Sequence, residues 1–154
     1  MSYFAALFTY DRDANERILA VCDQLSHHER TAPFPELGGS VLGLLGHIVG
    51  VEAAFLALMT GGEAQYPGDR TYEQIRSAFG SVASGYEAAI VELEANLSAP
   101  VFIPWFEREI TIEQALTQVA THSVQHRAGI AAGIARAGRE APNLDFIHWV
   151  AKAR

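Results

Sequence analysis

The sequence predicts an all-α protein: a four-helix bundle followed by a short C-terminal helix. Apolar residues recur at three- and four-residue steps in four long segments, residues typical of helix N-caps precede these segments, and stretches rich in Pro or Gly separate them. The chain has 154 residues, of which 49% are hydrophobic and 19% charged. This length and composition predict a single domain over residues 1–154 with a well-packed core.

The first helix is predicted to begin after Ser2 and to end at about Ser26. Its apolar positions keep helical spacing except around Asp11 and Asn15. These two residues either line a polar site or mark where the apolar stripe turns past solvent, and we favour solvent. Residues 27–30 form a charged exit, and residues 31–39, with two prolines and a glycine pair, are predicted to be a loop.

The other three long helices each follow a good N-cap residue. The second begins after Ser40 and the third after Thr71, and the fourth begins at Thr111 with the pattern of a capping box. The connections over residues 61–70 and 98–110 are long enough to cross an end of a bundle, and the second is predicted to be a structured loop.

The chain is predicted to close with a short helix. After Pro142, the apolar residues Leu144, Ile147 and Val150 are spaced to lie on the bundle over one or two helical turns.

Charge and composition exclude several function classes. There are 18 acidic residues against 11 Lys plus Arg, a formal net charge of -7, which disfavours nucleic acid and anionic membranes as partners. The longest apolar stretch, residues 41–59, contains glycines, a histidine and a glutamate, so we do not expect a membrane span. The single cysteine, Cys22, and the absence of a signal-like N-terminus predict a cytoplasmic protein.

Three histidines fall in apolar segments. His122 and His126 are four residues apart in the last long helix, so they lie on one face, one turn apart. Both follow the apolar positions of that helix, which predicts that both imidazoles point into the core. His47 lies beside the apolar stripe of the second long helix. The remaining histidines occupy polar or peripheral stretches: His27, His28 and His148.

Two imidazoles from one helix and a third from another would form a three-nitrogen set for zinc, nickel, iron or manganese. Three protein ligands leave a coordination position open for water or substrate, as in catalytic sites. The structural alternative is that these histidines are core residues whose nitrogens are hydrogen-bonded within the protein.

Other candidate site residues have weaker signals. Arg108 and Arg127 could bind an anionic substrate group, but we favour surface or helix-end charges for both. Trp105 is interpreted as a lid over the core and Cys22 as a small buried apolar residue. No general base is evident, because Glu52 lies five residues after His47 and therefore off its face.

Several motifs occur in a characteristic order: Tyr10 followed by Asn15, the segment Leu44-Leu45-Gly46-His47-Ile48 before a closing Gly61, His122-x-x-x-His126-Arg127, and Gly138 followed by Pro142 and Asp145-Phe146. In this order they resemble the DinB/YfiT-like superfamily of bacterial four-helix proteins regarded as metalloenzymes. The resemblance covers nearly the whole chain, and the three-histidine arrangement is its most specific part.

The resemblance implies an up-down-down-up bundle, usually assembled as a homodimer, with His47, His122 and His126 as metal ligands. Known branches of the superfamily include thiol S-transferases that use low-molecular-weight thiols and a thiol-dependent maleylpyruvate isomerase. We therefore expect a divalent-metal-dependent protein acting on small molecules, with zinc or nickel and a thiol cosubstrate. The alternatives are a metal-dependent hydrolase and a non-catalytic, stress-associated bundle that binds a metal or a small ligand.

Overall fold

The computed structural model describes residues 2–34, 38–64 and 70–152, most of which are helical. Within these ranges the α-helices are α1 (Tyr3–Cys22), α2 (His27–Thr31), α3 (Val41–Met59), α4 (Tyr72–Ala95), α5 (Ile112–Arg136) and α6 (Phe146–Lys152). Two strands, β1 (Pro100–Ile103) and β2 (Arg108–Thr111), lie between α4 and α5 in the chain. The four long helices and the short helix α6 confirm the predicted fold class.

α1 and α4 are antiparallel. At one end the backbone N–H of Phe4 donates to Oε1 of Glu94 at 2.9 Å. At the other end the Tyr72 hydroxyl donates to Oδ1 of Asp23 at 2.5 Å. The start of each helix therefore lies beside the end of the other.

α3 is parallel to α4 and antiparallel to α5. Gly46 lies against Ile75, and further along both helices the Tyr86 hydroxyl donates to the Glu52 carbonyl at 2.9 Å. The start of α3 faces the end of α5, because a Cβ added at Gly133 would lie 2.7 Å from Val41 Cγ2. These directions confirm the up-down-down-up topology.

The stretch predicted as a structured loop over residues 98–110 contains an antiparallel hairpin. Val101 pairs with Ile110 and Ile103 with Arg108, and a 3₁₀ turn over Pro104–Phe106 joins the strands. Val101 and Ile103 are buried, which anchors β1 on the bundle. The second strand was not predicted because β2 begins with two charged residues. Such residues are tolerated there, since one face of a two-stranded hairpin remains solvated.

Three of the four predicted caps are confirmed: the side chains of Ser40, Thr71 and Thr111 accept hydrogen bonds from backbone N–H groups in the first turns of α3, α4 and α5. α1 begins after Ser2 as predicted, but the Ser2 side chain accepts no cap hydrogen bond, because its hydroxyl donates to the Glu94 carboxylate. Residues 27–30 belong to α2, which begins with its own capping box, rather than to a charged exit. Residues 35–37 of the predicted loop 31–39 and residues 65–69 of the predicted connection 61–70 lie outside the described residues.

The capping box at the start of α5 supports the helix that carries two of the three histidines. We expect Thr111→Ala to lower the free energy of unfolding by about 1 kcal/mol, because a Gln114 backbone N–H loses its acceptor. Urea unfolding would measure the change. Thr117→Ala is the matched control, since that exposed hydroxyl donates to the Glu113 carbonyl of its own helix and caps no helix end, and it should change little. Equal effects of the two changes would contradict the prediction.

The core is formed by one apolar face of each long helix. α4 follows the predicted stripe, with Tyr72, Ile75, Phe79, Val82, Tyr86, Ile90 and Leu93 buried. Cys22 is fully buried as predicted, and burial raises the pKa of its thiol to about 12.

Among the described helices, α3 is long and apolar enough to span a membrane by length and composition. Its place between α4 and α5 accounts for that composition, since 50% of the apolar window is buried in the bundle.

Candidate metal centre

The structure brings His47 of α3 together with His122 and His126 of α5. Their potential ligand atoms lie within 4.8 Å of one another, and the Nε2 atoms of His47 and His122 are 2.9 Å apart. The three ring centroids are 4.4 to 4.7 Å apart. The antiparallel packing of α3 and α5 creates this cluster, because it places the middle of one helix beside the middle of the other.

The prediction that the imidazoles of His122 and His126 point into the core is wrong. His47 is exposed, and His122 and His126 are half-buried. The buried positions of α5 include Ser123 and Arg127, each one residue after a histidine and therefore rotated by about 100°. The cluster thus lies at the rim of the α3–α5 contact, where a bound cation would be accessible to small molecules.

The environment keeps two of the imidazoles neutral. Partial burial, followed by the neighbouring His126 and His47, lowers the pKa of His122 to about 4. Partial burial and His47 likewise lower the pKa of His126. At neutral pH these rings therefore present nitrogen lone pairs, the form in which histidine binds metals.

The geometry suits a divalent cation better than it suits satisfied core histidines. One nitrogen of His122 meets another histidine, and its Nδ1 is buried without a hydrogen-bond partner in the described structure. Buried imidazole nitrogens are normally paired, so this ring is not explained as a core residue. Three imidazoles whose ligand atoms lie at such short separations match the donors that zinc, nickel and iron accept.

The cluster opens into a cavity of about 630 Å³, within the size range of small-molecule sites. The walls come from α3, the start of α5 and the hairpin, and its lining includes His47, Val51, Phe55, Ile103, Trp105, Phe106, Arg108, Ile110, Gln114, Gln118 and His122. The Trp105 ring packs edge-on against Phe55, 5.7 Å between centroids, and remains 38% exposed. It therefore covers part of the core and also forms a wall of the cavity.

Behind the histidines lies a buried polar cluster, formed by Asp11, Asn15, Glu52, Ser123 and Arg127. Arg127 is 2% exposed, and its Nη1 donates to Oδ1 of Asp11 at 2.6 Å and to Oδ1 of Asn15 at 2.8 Å. The interpretation of Arg127 as a surface charge is therefore wrong. The interpretation of Asp11 and Asn15 as solvent-facing is wrong for the same reason: both are buried.

Glu52 completes this cluster from α3. Its Oε1 accepts from the Ser123 hydroxyl at 2.8 Å and from the Asn15 amide at 3.2 Å. Burial and the nearby Asp11 carboxylate raise its pKa well above the usual range of a glutamate. Glu52 lines no part of the cavity beside the histidines, in agreement with its predicted position off the face of His47.

The sequence contained a signal for this cluster. Helical spacing continues through Val119, Ser123, Arg127 and Ile130 on α5, where two polar residues occupy positions of the buried face. A polar gap within an otherwise apolar stripe also occurs on α1, at Asp11 and Asn15. Gaps in stripes of neighbouring helices indicate polar groups that pair with one another.

Comparisons with known proteins agree with the fold. The family model described as the DinB family matches residues 1–153. A crystal structure of a DinB-like protein from Bacillus cereus ATCC 10987 superposes with a TM-score of 0.73 at 20% identity, covering 91% of this chain and 94% of that one. No significant match was found among curated proteins. Because the family model matches nearly the whole chain, the protein belongs to the DinB family.

Proposed function

We propose that this protein binds a divalent metal ion through His47, His122 and His126 and uses it to act on small molecules. The observation that carries the proposal is the three-histidine cluster beside a cavity of about 630 Å³, whose lining includes His47 and His122. Membership of the DinB family is compatible with a metal-binding bundle. Zinc or nickel suits an all-imidazole set best, and iron or manganese are alternatives.

The reaction that we propose is thiol S-transfer. A bound divalent cation would lower the pKa of a thiol and hold the thiolate. In the reaction the thiol loses its proton to solvent, its sulfur forms a bond to an electrophilic carbon, and the leaving group departs with the electron pair of the broken bond. The apolar walls provided by Phe55, Trp105 and Ile110 would limit water around the reacting atoms.

The lining of the cavity supplies no carboxylate base. The described lining contains no Asp or Glu, and Glu52 is buried among Asn15 and Ser123. A thiol whose pKa the cation lowers would ionise without such a base, and so would a metal-bound water. The lining therefore suits both reactions, and the dependence of turnover on a thiol distinguishes them.

Elemental analysis of the purified, untagged protein tests metal binding. We expect nearly one equivalent of zinc or nickel in the wild type and loss of this metal in the double variant His122→Ala, His126→Ala, because two of three ligands are removed. The double variant His27→Ala, His28→Ala is the matched control, since those adjacent histidines are exposed on α2. It should retain the metal.

Wild-type protein that stays empty after reconstitution with zinc, nickel and manganese would overturn the metal site. Metal that persists in the His122→Ala, His126→Ala variant would place the metal site elsewhere.

Turnover requires a second experiment. Consumption of a model electrophile with a low-molecular-weight thiol, lost on chelation, would support S-transfer. A metal-loaded protein without thiol-dependent turnover would favour the non-catalytic binding role, and thiol-independent hydrolysis would favour the hydrolase.

We propose further that the protein is a homodimer, as the family resemblance implies, and that it is cytoplasmic, as its single cysteine suggests. Sedimentation equilibrium would test the assembly, and a mass of one chain would contradict it.

A further inference from the structure

The cavity beside the histidines differs in charge from the chain as a whole. The sequence has a formal net charge of -7, yet the described residues lining the cavity include no carboxylate. Arg108 is the permanently charged residue among them. A divalent cation on three neutral imidazoles would add two further positive charges with no acidic ligand to offset them.

Arg108 is available to a ligand. It is the first residue of β2, is exposed, and forms no ion pair with the other residues that the structure describes. Its cross-strand partner is the buried Ile103, which also lines the cavity, so β1 holds the backbone of Arg108 at the cavity wall. A guanidinium in this position offers paired N–H donors to a carboxylate.

The rest of the wall is mainly apolar. Val51 and Phe55 come from α3, and Trp105, Phe106 and Ile110 come from the hairpin, while Gln114 and Gln118 add neutral amides. Phe106 and Trp105 are 70% and 38% exposed, and their ring centroids are 6.2 Å apart, so together they present an apolar surface at the cavity wall. An apolar body with one anionic group matches this combination of surfaces.

We propose that the small molecule bound here is a carboxylate with an apolar, chain-like or aromatic body, and that Arg108 binds the carboxylate. The body lies against Phe55 and Trp105, and the end opposite the carboxylate faces the histidines. This inference rests on the proposed function for the role of the histidines, but anion recognition by Arg108 requires no metal.

The test uses the full chain freed of metal by a chelator, so that a cation cannot bind the carboxylate directly. The probes are phenylbutyrate, phenylbutanol and phenylbutylamine, which share one apolar body and differ in charge. The readout is the indole N–H NMR signal of Trp105, assigned with Trp105→Phe. The second tryptophan, Trp149, donates to Asp13 on α1, lies outside the cavity lining, and serves as the internal control.

We expect phenylbutyrate to shift the Trp105 signal and to bind about fivefold more tightly than phenylbutanol, with phenylbutylamine weakest. Arg108→Gln should abolish the preference for the carboxylate, and added salt should weaken it. Arg139→Gln is the matched control, because that exposed arginine follows the C-terminal end of α5, whereas the cavity lies at its start. It should leave the preference unchanged.

Equal affinity for the three probes, or a carboxylate preference that survives in Arg108→Gln, would overturn the role of Arg108. A failure of all three probes to shift the Trp105 signal would overturn the apolar site itself. These outcomes are separate from failure of the proposed function, which elemental analysis of the wild type reports independently of any probe.

Discussion

Arg127→Met is expected to lower the free energy of unfolding by about 3–5 kcal/mol, because it leaves the Asp11 carboxylate buried without its cation. The two side chains are 2% and 7% exposed, and their atoms are 2.6 Å apart. Asn15 would lose a hydrogen bond in the same change. Urea unfolding in the presence of a chelator would measure the loss without a contribution from bound metal.

Two further variants separate this effect from the general loss of an ion pair. Arg12→Met breaks the exposed pair of Arg12 with Glu87, at 3.4 Å, and should cost less than about 1 kcal/mol. The double variant Asp11→Leu, Arg127→Met replaces the buried pair by apolar side chains and should recover much of the stability lost by the single change. A double variant as unstable as Arg127→Met alone would show that the loss comes from packing and not from the unpaired carboxylate.

Glu52→Gln is expected to make the protein more stable than the wild type at alkaline pH. Burial and Asp11 raise the pKa of Glu52 above its usual value of 4.5. The folded protein therefore keeps this proton at pH values where the unfolded chain has released it. Above about pH 4.5 the wild type should lose about 1.4 kcal/mol of stability per pH unit from this group, until the folded-state pKa is reached. Glutamine preserves the Oε1 acceptor for Ser123 and Asn15 and does not titrate.

The measurement is the difference in unfolding free energy between variant and wild type at about pH 5 and at about pH 8. His122 also contributes to the pH dependence of stability, but in the opposite direction. Its pKa is lower in the folded protein than in the unfolded chain, so its contribution makes stability rise with pH. That contribution is the same in both proteins and cancels in the difference. Glu87→Gln makes the same substitution at an exposed site and is the matched control. A pH-independent difference for Glu52→Gln would mean that Glu52 is ionised in the folded protein.

The sequence was sufficient to predict the four long helices, the C-terminal helix and their order, but not the short helix α2. Spacing of apolar residues located α3, α4 and α5, and residues such as Thr71 and Thr111 marked where helices begin, because local hydrogen bonding decides these features. The second strand of the hairpin was missed, since its pairing depends on contacts with β1 and not on its own composition.

The candidate site was predicted only in part. The spacing of His122 and His126 placed them on one face, but apolar spacing alone assigned that face to the core. The helix instead buries Ser123 and Arg127, which pair with groups on α1 and α3. Such pairing depends on distant parts of the chain, so neither residue could be recognised as buried from the sequence of α5 alone. Arg108 was considered as a possible anion-binding residue, with a surface charge favoured, and its place in the cavity wall could not be predicted without the hairpin.

On α5, His122 and His126 lie on one face and the buried residues Ser123 and Arg127 lie on the adjacent face. This arrangement matters for any attempt to transfer the histidines to another protein. His122 and His126 each precede a member of the cluster by one residue, so a rotation of α5 by one position would move both imidazoles to the buried positions of Ser123 and Arg127 and turn these two side chains towards solvent. The polar cluster thus fixes the rotation of α5 and with it the direction of His122 and His126. Transfer of the three histidines alone onto another bundle would omit these contacts, and the new bundle would have to fix the rotation of its helix in another way.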